Sequence, residues 1–156
     1  MAISRGCLPA QGIADKIKRW LDVGKLHSVI LIGEFAKNTL FSYHVTLSSG
    51  TEITVFQPSN MNDSITISAT LFLSAENVKK LRKKLKNKQE EIFSEVLIKL
   101  APLDVELALE GGEICQRIDI NHQIYFDGLT KDRFFGAVSI VNKAYRLAEW
   151  ILEQSI

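Results

Sequence analysis

The stretch EICQRIDINHQIYF, Glu113–Phe126, has two readings, and the choice between them decides the fold. Asn121-His122 fits a two-residue hairpin turn, which would make two short strands. Parity argues for one strand instead. Ile114, Ile118, Ile120, Ile124 and Phe126 all carry even numbers, so an unbroken strand holds them on one face, whereas a turn would throw Ile124 to the face opposite Ile120. One long, bent strand is therefore expected. Before it, DVELALE (104–110) alternates and Gly111-Gly112 turns the chain, so the two strands form a pair.

The rest of the pattern follows outward from that pair. Upstream, SVILIGEF (28–35) reads as a buried strand, and Phe41, Tyr43, Val45 and Leu47 alternate with polar residues in a second. TEITVFQ (51–57), stopped by Pro58, and the alternation of Ile65, Ile67, Ala69, Leu71 and Leu73 complete an antiparallel meander. Ile13, Ile17, Trp20 and Leu21, closed by Gly24, predict a helix over 12–23. Val78, Leu81, Leu85, Ile92, Val96 and Leu100 predict one long helix, capped by Ser74 and ended by Pro102. A last helix is expected from 131 to about 154. The fold class is α+β: a single mostly antiparallel sheet with helices packed on it, in the order α-ββββ-α-ββ-α.

At 156 residues, 46% of them apolar and 24% charged, the chain is expected to be a single domain over 1–156, with residues 1–11 a poorly ordered leader. Cys7 and Cys115 stand in unrelated surroundings, which supports neither a disulfide framework nor a four-ligand zinc site. No apolar run reaches bilayer length, and the N-terminus has no apolar signal core; a cytoplasmic protein without membrane contact is expected. Residues 1–88 carry 13 basic and 6 acidic side chains (+7), residues 89–156 carry 6 and 12 (−6).

Three motifs suggest chemistry. In IYFDGLTKDRFF (124–135), Asp-Gly-x-Thr after a strand is close to a phosphoaspartyl pattern, but Leu129 stands where a second aspartate would share the metal. Its residues are explained by a strand release at Asp127-Gly128, a cap at Thr130 and an acid, Asp132, at the helix N-terminus. His27, His44 and His122 have no partner at metal-ligand spacing, and His122 is in phase with an apolar face. No glycine-rich phosphate loop or nucleophile elbow occurs. No catalytic, cofactor or metal residue is assigned, and no cofactor is expected.

The strongest local anomaly is KKLRKKLKNK, 79–88, with seven basic residues in ten. On one continuous helix, Leu81 and Leu85 face the core and Lys79, Lys80, Lys83, Lys84 and Lys86 form a cationic outer face. That face is either simply solvated, with Glu90, Glu91 and Glu95 balancing it, or it meets an acidic protein partner or nucleic-acid phosphates. Near-neutral total charge disfavours nucleic acid.

The element order resembles the type III secretion chaperone-like fold. INHQIYFDGLTKDRFFGAVSIVNKAYRL (120–147), with the Gly-Gly turn before it, is similar to an uncharacterised archaeal family of that topology, and the likeness covers residues 12–155. It implies a small, usually dimeric protein that binds extended segments of partner proteins without catalysis. The chain departs from that fold in its near-neutral charge, an extra strand in the first meander and the lysine-rich middle. The expected function is thus a non-catalytic, chaperone-like protein-binding module with an unknown protein partner, ahead of nucleic-acid binding or an enzyme. A homodimer is expected too. The closing helix carries a second apolar stripe (Ile140, Ala144, Leu147, Ile151) beside Phe134, Val138, Val141, Tyr145, Ala148 and Leu152, and that stripe needs cover.

Overall fold

A computed structural model describes residues 7–32 and 37–156, and side chains from residue 11 onward. The elements run α1 (Cys7–Val23), β1 (His27–Ile30), β2 (Thr39–Thr46), β3 (Glu52–Pro58), β4 (Ser64–Phe72), α2 (Ala75–Arg82), α3 (Lys86–Leu100), β5 (Glu106–Glu110), β6 (Arg117–Tyr125) and α4 (Lys131–Ser155). The strands form one six-stranded antiparallel sheet in the order β1-β2-β3-β4-β6-β5, with the four helices packed on it. The expected order holds, except that the middle helix is two. The leader expected over 1–11 falls partly on residues 1–6, outside the described residues, and α1 already begins at Cys7. The end of the first expected strand, 33–35, also lies outside them; the strand itself covers His27–Ile30.

The chain divides into two compact units. The first comprises residues 1–67 and 123–135. Here Tyr43 and Val45 of β2 stand opposite Val55 and Ile53 of β3, all four buried, because period-2 alternation puts them on one face. Helix α1 brings Ala14, Ile17 and Leu21 into the core at helical spacing, Ile17 and Leu21 with no exposure at all. Full burial of such a side chain stabilises by about 1.5–3 kcal/mol. The Tyr43 hydroxyl donates to the Ala14 carbonyl at 3.1 Å, tying α1 to the sheet. Trp20 meets Phe134 with ring centroids 5.5 Å apart. A Cβ at Gly24 would stand 3.1 Å from the Phe135 ring, so the ring packs closely on this glycine and would have to give by a few tenths of an ångström to admit a side chain.

The second unit comprises residues 68–122 and 136–156. Ile118 and Ile120 of β6 are fully buried, as parity predicts, and β6 runs unbroken through Asn121-His122. It starts only at Arg117, however, so Ile114 belongs to the connection from β5 rather than to the strand. The His122 ring accepts its place on the inner face by bonding through Nδ1 to the Asp104 carbonyl oxygen. The second stripe of α4 is covered within the chain: Ala144 and Ile151 are buried, and Ile140 and Leu147 half-buried. That stripe therefore gives no reason for a dimer. Trp150, 54% exposed, is the large apolar residue α4 leaves in water.

The long middle helix is corrected most clearly. Helix α2 stops at Arg82, Lys83 is its C-cap, and Leu85 is extended (ψ 147°) as the N-cap of α3. Helical spacing puts Lys79 with Lys83, Lys80 with Lys84, and Arg82 with Lys86 in like-charge pairs, which oppose a continuous helix. The break also sets Lys79, Lys80 and Arg82 against the negative end of α2. Leu81 is fully buried, but Leu85 swings out to 73% exposure.

Candidate partner-binding groove

The break creates a concave surface. Gln89, in the first turn of α3, donates from Nε2 to the Leu81 carbonyl (2.9 Å) and the Lys84 carbonyl (3.0 Å), so its side chain holds the end of α2 against the start of α3. Opposite lies the connection from β5 to β6. Gly111, at φ +148°, lets it fold back until the Gln116 amide donates to the Glu110 carbonyl at 2.9 Å. The Leu73 amide then donates to the Gln116 carbonyl at 2.9 Å, fixing the end of β4 beside this connection.

Two depressions of about 730 and 740 Å³ lie between these elements and share Arg82 and Gln116, so they form one groove. Lys86, Gln89 and Ile114 line one part, Leu73, Val78 and Lys79 the other. A third hollow of about 260 Å³, sharing Lys86, Gln89 and Ile114 with the first, extends it over Phe93, Leu97 and Leu109. Lys79, Arg82 and Lys86 are exposed and have no ion-pair partner among the described residues. Three acids, Glu76, Glu90 and Glu113, stand on the same walls, and Glu76 is taken by Lys80 at 3.3 Å. The surface thus joins unpaired cations to an apolar lining.

Of the five lysines read as one outer face, Lys79 and Lys86 line the groove. Lys80 turns to Glu76, and Lys83 and Lys84 sit on the break without lining it. Arg82, Ile114 and Gln116 are the residues that sequence reasoning passed over. Arg82 lies inside the basic run and was recoverable from it; Ile114 and Gln116 reach the groove only because β6 starts late.

The other motifs resolve structurally. Phe126–Gly128 make a short 3-10 turn, the Thr130 hydroxyl accepts from the Arg133 amide at 3.2 Å, and Asp132 sits in the first turn of α4. His44 lies 3.6 Å from Glu52. Among the described residues no group of three potential metal ligands forms. Burial pushes the Cys115 thiol above its ordinary pKa, and the thiol donates to the Arg117 carbonyl at 3.3 Å. Beside it, Arg117 grips Asp119 through Nε (3.0 Å) and Nη2 (2.9 Å), and Thr70 donates to the same carboxylate at 2.7 Å. Asp119, 8% exposed, raises the Arg117 pKa by this bonding. Among the described residues, no helix is long and apolar enough to cross a membrane.

These features define a small α+β protein with an open, partly cationic groove. The chain belongs to the family described as an uncharacterized conserved protein (DUF2299), whose pattern matches residues 13–152. It is similar to an uncharacterized protein from Methanothermobacter thermautotrophicus, an archaeal protein of known crystal structure. The two are 27% identical over 90% of this chain and 96% of that one, with a TM-score of 0.81. No curated protein matches.

Proposed function

We propose that the chain is a non-catalytic, chaperone-like protein-binding module, a cytoplasmic, single-domain protein, which holds an acidic, partly apolar segment of a partner in this groove. The observation that carries the reading is the placement of Lys79, Arg82 and Lys86 along a lining that includes Val78, Ile114 and Leu73. Cations steer an acidic segment and set its register, while burial of its apolar side chains supplies the affinity. Nucleic acid fits less well, because the chain's net charge is only +1, whereas a domain that binds phosphate backbones is usually basic overall. No cofactor enters this reading, and a homodimer belongs to it.

Fluorescence anisotropy distinguishes the two ligands, with a labelled peptide alternating leucine and aspartate and a labelled single-stranded oligonucleotide as probes. The peptide is expected to bind, and Lys79→Glu/Arg82→Glu/Lys86→Glu to weaken it at least tenfold. Lys80→Glu/Lys83→Glu/Lys84→Glu, which lies off the groove, is expected to have a much smaller effect. Oligonucleotide binding that falls steeply with salt and responds equally to both triple variants would overturn the reading in favour of nucleic acid.

A further inference from the structure

We infer that strand β1 is an interface for a second copy of this chain, which continues the sheet across a two-fold axis at Val29. The inference deepens the homodimer part of the proposed function and is independent of the groove, so its failure leaves the groove untouched.

Strand β1 ends the sheet order, with β2 as its sole neighbour among the described residues. Ser28, Val29 and Ile30 stand opposite Val45, His44 and Tyr43. The Leu31 amide donates to the Ser42 carbonyl at 2.8 Å, which marks Leu31 and Ser42 as a bonded pair. Bonded and non-bonded pairs alternate along an antiparallel ladder, so Val29 also bonds inward. Ser28 and Ile30 then direct their amides and carbonyls away from β2, to the free edge.

The second half of that edge is apolar as well as open, while in the first half Lys18 donates from Nζ to the Ser28 hydroxyl at 2.9 Å. Val29 is 49% and Ile30 59% exposed. Ile32, just past the end of the strand, is 74% exposed. Proteins that stay monomeric blunt such edges with lysine, proline or a bulge inside the strand. Strand β1 has none of these, and residues 26–32 carry no formal charge.

The other end of the sheet shows why self-pairing falls on β1 and not on β5. Strand β5 is also an edge, but it begins with Glu106 and ends with Glu110. A two-fold pairing of β5 about Ala108 would set Glu106 against Glu110 of the other copy, and like charges directly opposite repel. Strand β1 meets no such penalty. Its self-pairing uses every outward group: Ser28 of each copy bonds to Ile30 of the other. Val29 then faces Val29 as a non-bonded pair, with Cα atoms about 4.5 Å apart.

That spacing falls within disulfide range. Val29→Cys, made with Cys7→Ser and Cys115→Ser, is expected to form a covalent dimer under mild oxidation at micromolar concentration, whereas Phe72→Cys in the same background is not. Light scattering of the native chain is expected to give twice the 17.5 kDa of one copy, and Val29→Lys to halve that mass while circular dichroism stays native. A native mass of 17.5 kDa at micromolar concentration overturns the inference. So does a dimer that Val29→Cys fails to bridge, a readout that stands if Val29→Lys does not fold.

Discussion

Gln89 donates its side-chain amide to the Leu81 carbonyl at 2.9 Å, across the break that separates α2 from α3. The last carbonyls of a helix have no partner within it, and here the Lys84 amide (2.9 Å) and a side chain from the next helix both donate to the same one. The same nitrogen reaches Lys84 at 3.0 Å, so one residue serves both sides of the break. Gln89→Ala removes both bonds and is expected to lower stability by about 1–2 kcal/mol. Urea unfolding checks it: the midpoint falls while the slope is unchanged, since the surface exposed on unfolding stays the same.

The break also separates two leucines that helical spacing treats as equivalent. Leu81 is fully buried, and Leu81→Ala is expected to cost about 2–5 kcal/mol through lost contact and a cavity. Leu85→Ala replaces a side chain that is 73% exposed, at a cap position where alanine and leucine rank alike, and is expected to stay within about 0.5 kcal/mol of native. Equal losses in parallel denaturation curves would restore the continuous helix.

What the sequence made legible and what it hid follow the same line. Period-2 alternation found the strands, because burial on one sheet face selects every second residue; Ile118, Ile120 and Ile124 show it, and their parity ruled out the hairpin. Period 3.6 found the span of the middle helix but not its interruption. Apolar spacing registers only which residues could share a face, whereas the break answers to like-charge pairs and to a side-chain bond from Gln89. The groove was half legible for that reason. Its cations lie in one run of sequence, but its apolar wall comes from Ile114, whose position depends on where β6 begins.

The β5–β6 connection gives a paired test. A side chain at Gly111 would stand 2.3 Å from the Ile114 carbonyl oxygen and 2.7 Å from the Gln116 nitrogen, both backbone atoms, at φ +148°. Nothing there yields cheaply, so Gly111→Ala is expected to cost about 1–3 kcal/mol. At Gly112 no atom lies within 4 Å of the added carbon, and Gly112→Ala is expected to be neutral within about 0.5 kcal/mol. Thermal melts separate them, at about 2–4 °C per kcal/mol for a chain of this size. If both variants melt with the native protein, the tight turn is not needed to hold the groove's far wall.

Tyr43 predicts a response to alkali. Burial, then the nearby Asp15 and Asp22, push its phenol above the ordinary pKa, while its hydroxyl donates to Ala14 at 3.1 Å. The folded value exceeds the unfolded one, so its contribution to stability is fully present below the unfolded value of about 10 and is lost as pH rises through the folded value. Tyr43→Phe gives up the bond and is expected to be less stable by about 1 kcal/mol at neutral pH. It also has no proton to lose. The gap between variant and native protein is therefore expected to narrow as pH climbs above about 10, because the native chain alone loses this contribution. Denaturation midpoints measured from neutral pH into that range test the point: curves that stay parallel would mean Tyr43 ionises no differently in the folded and unfolded chain.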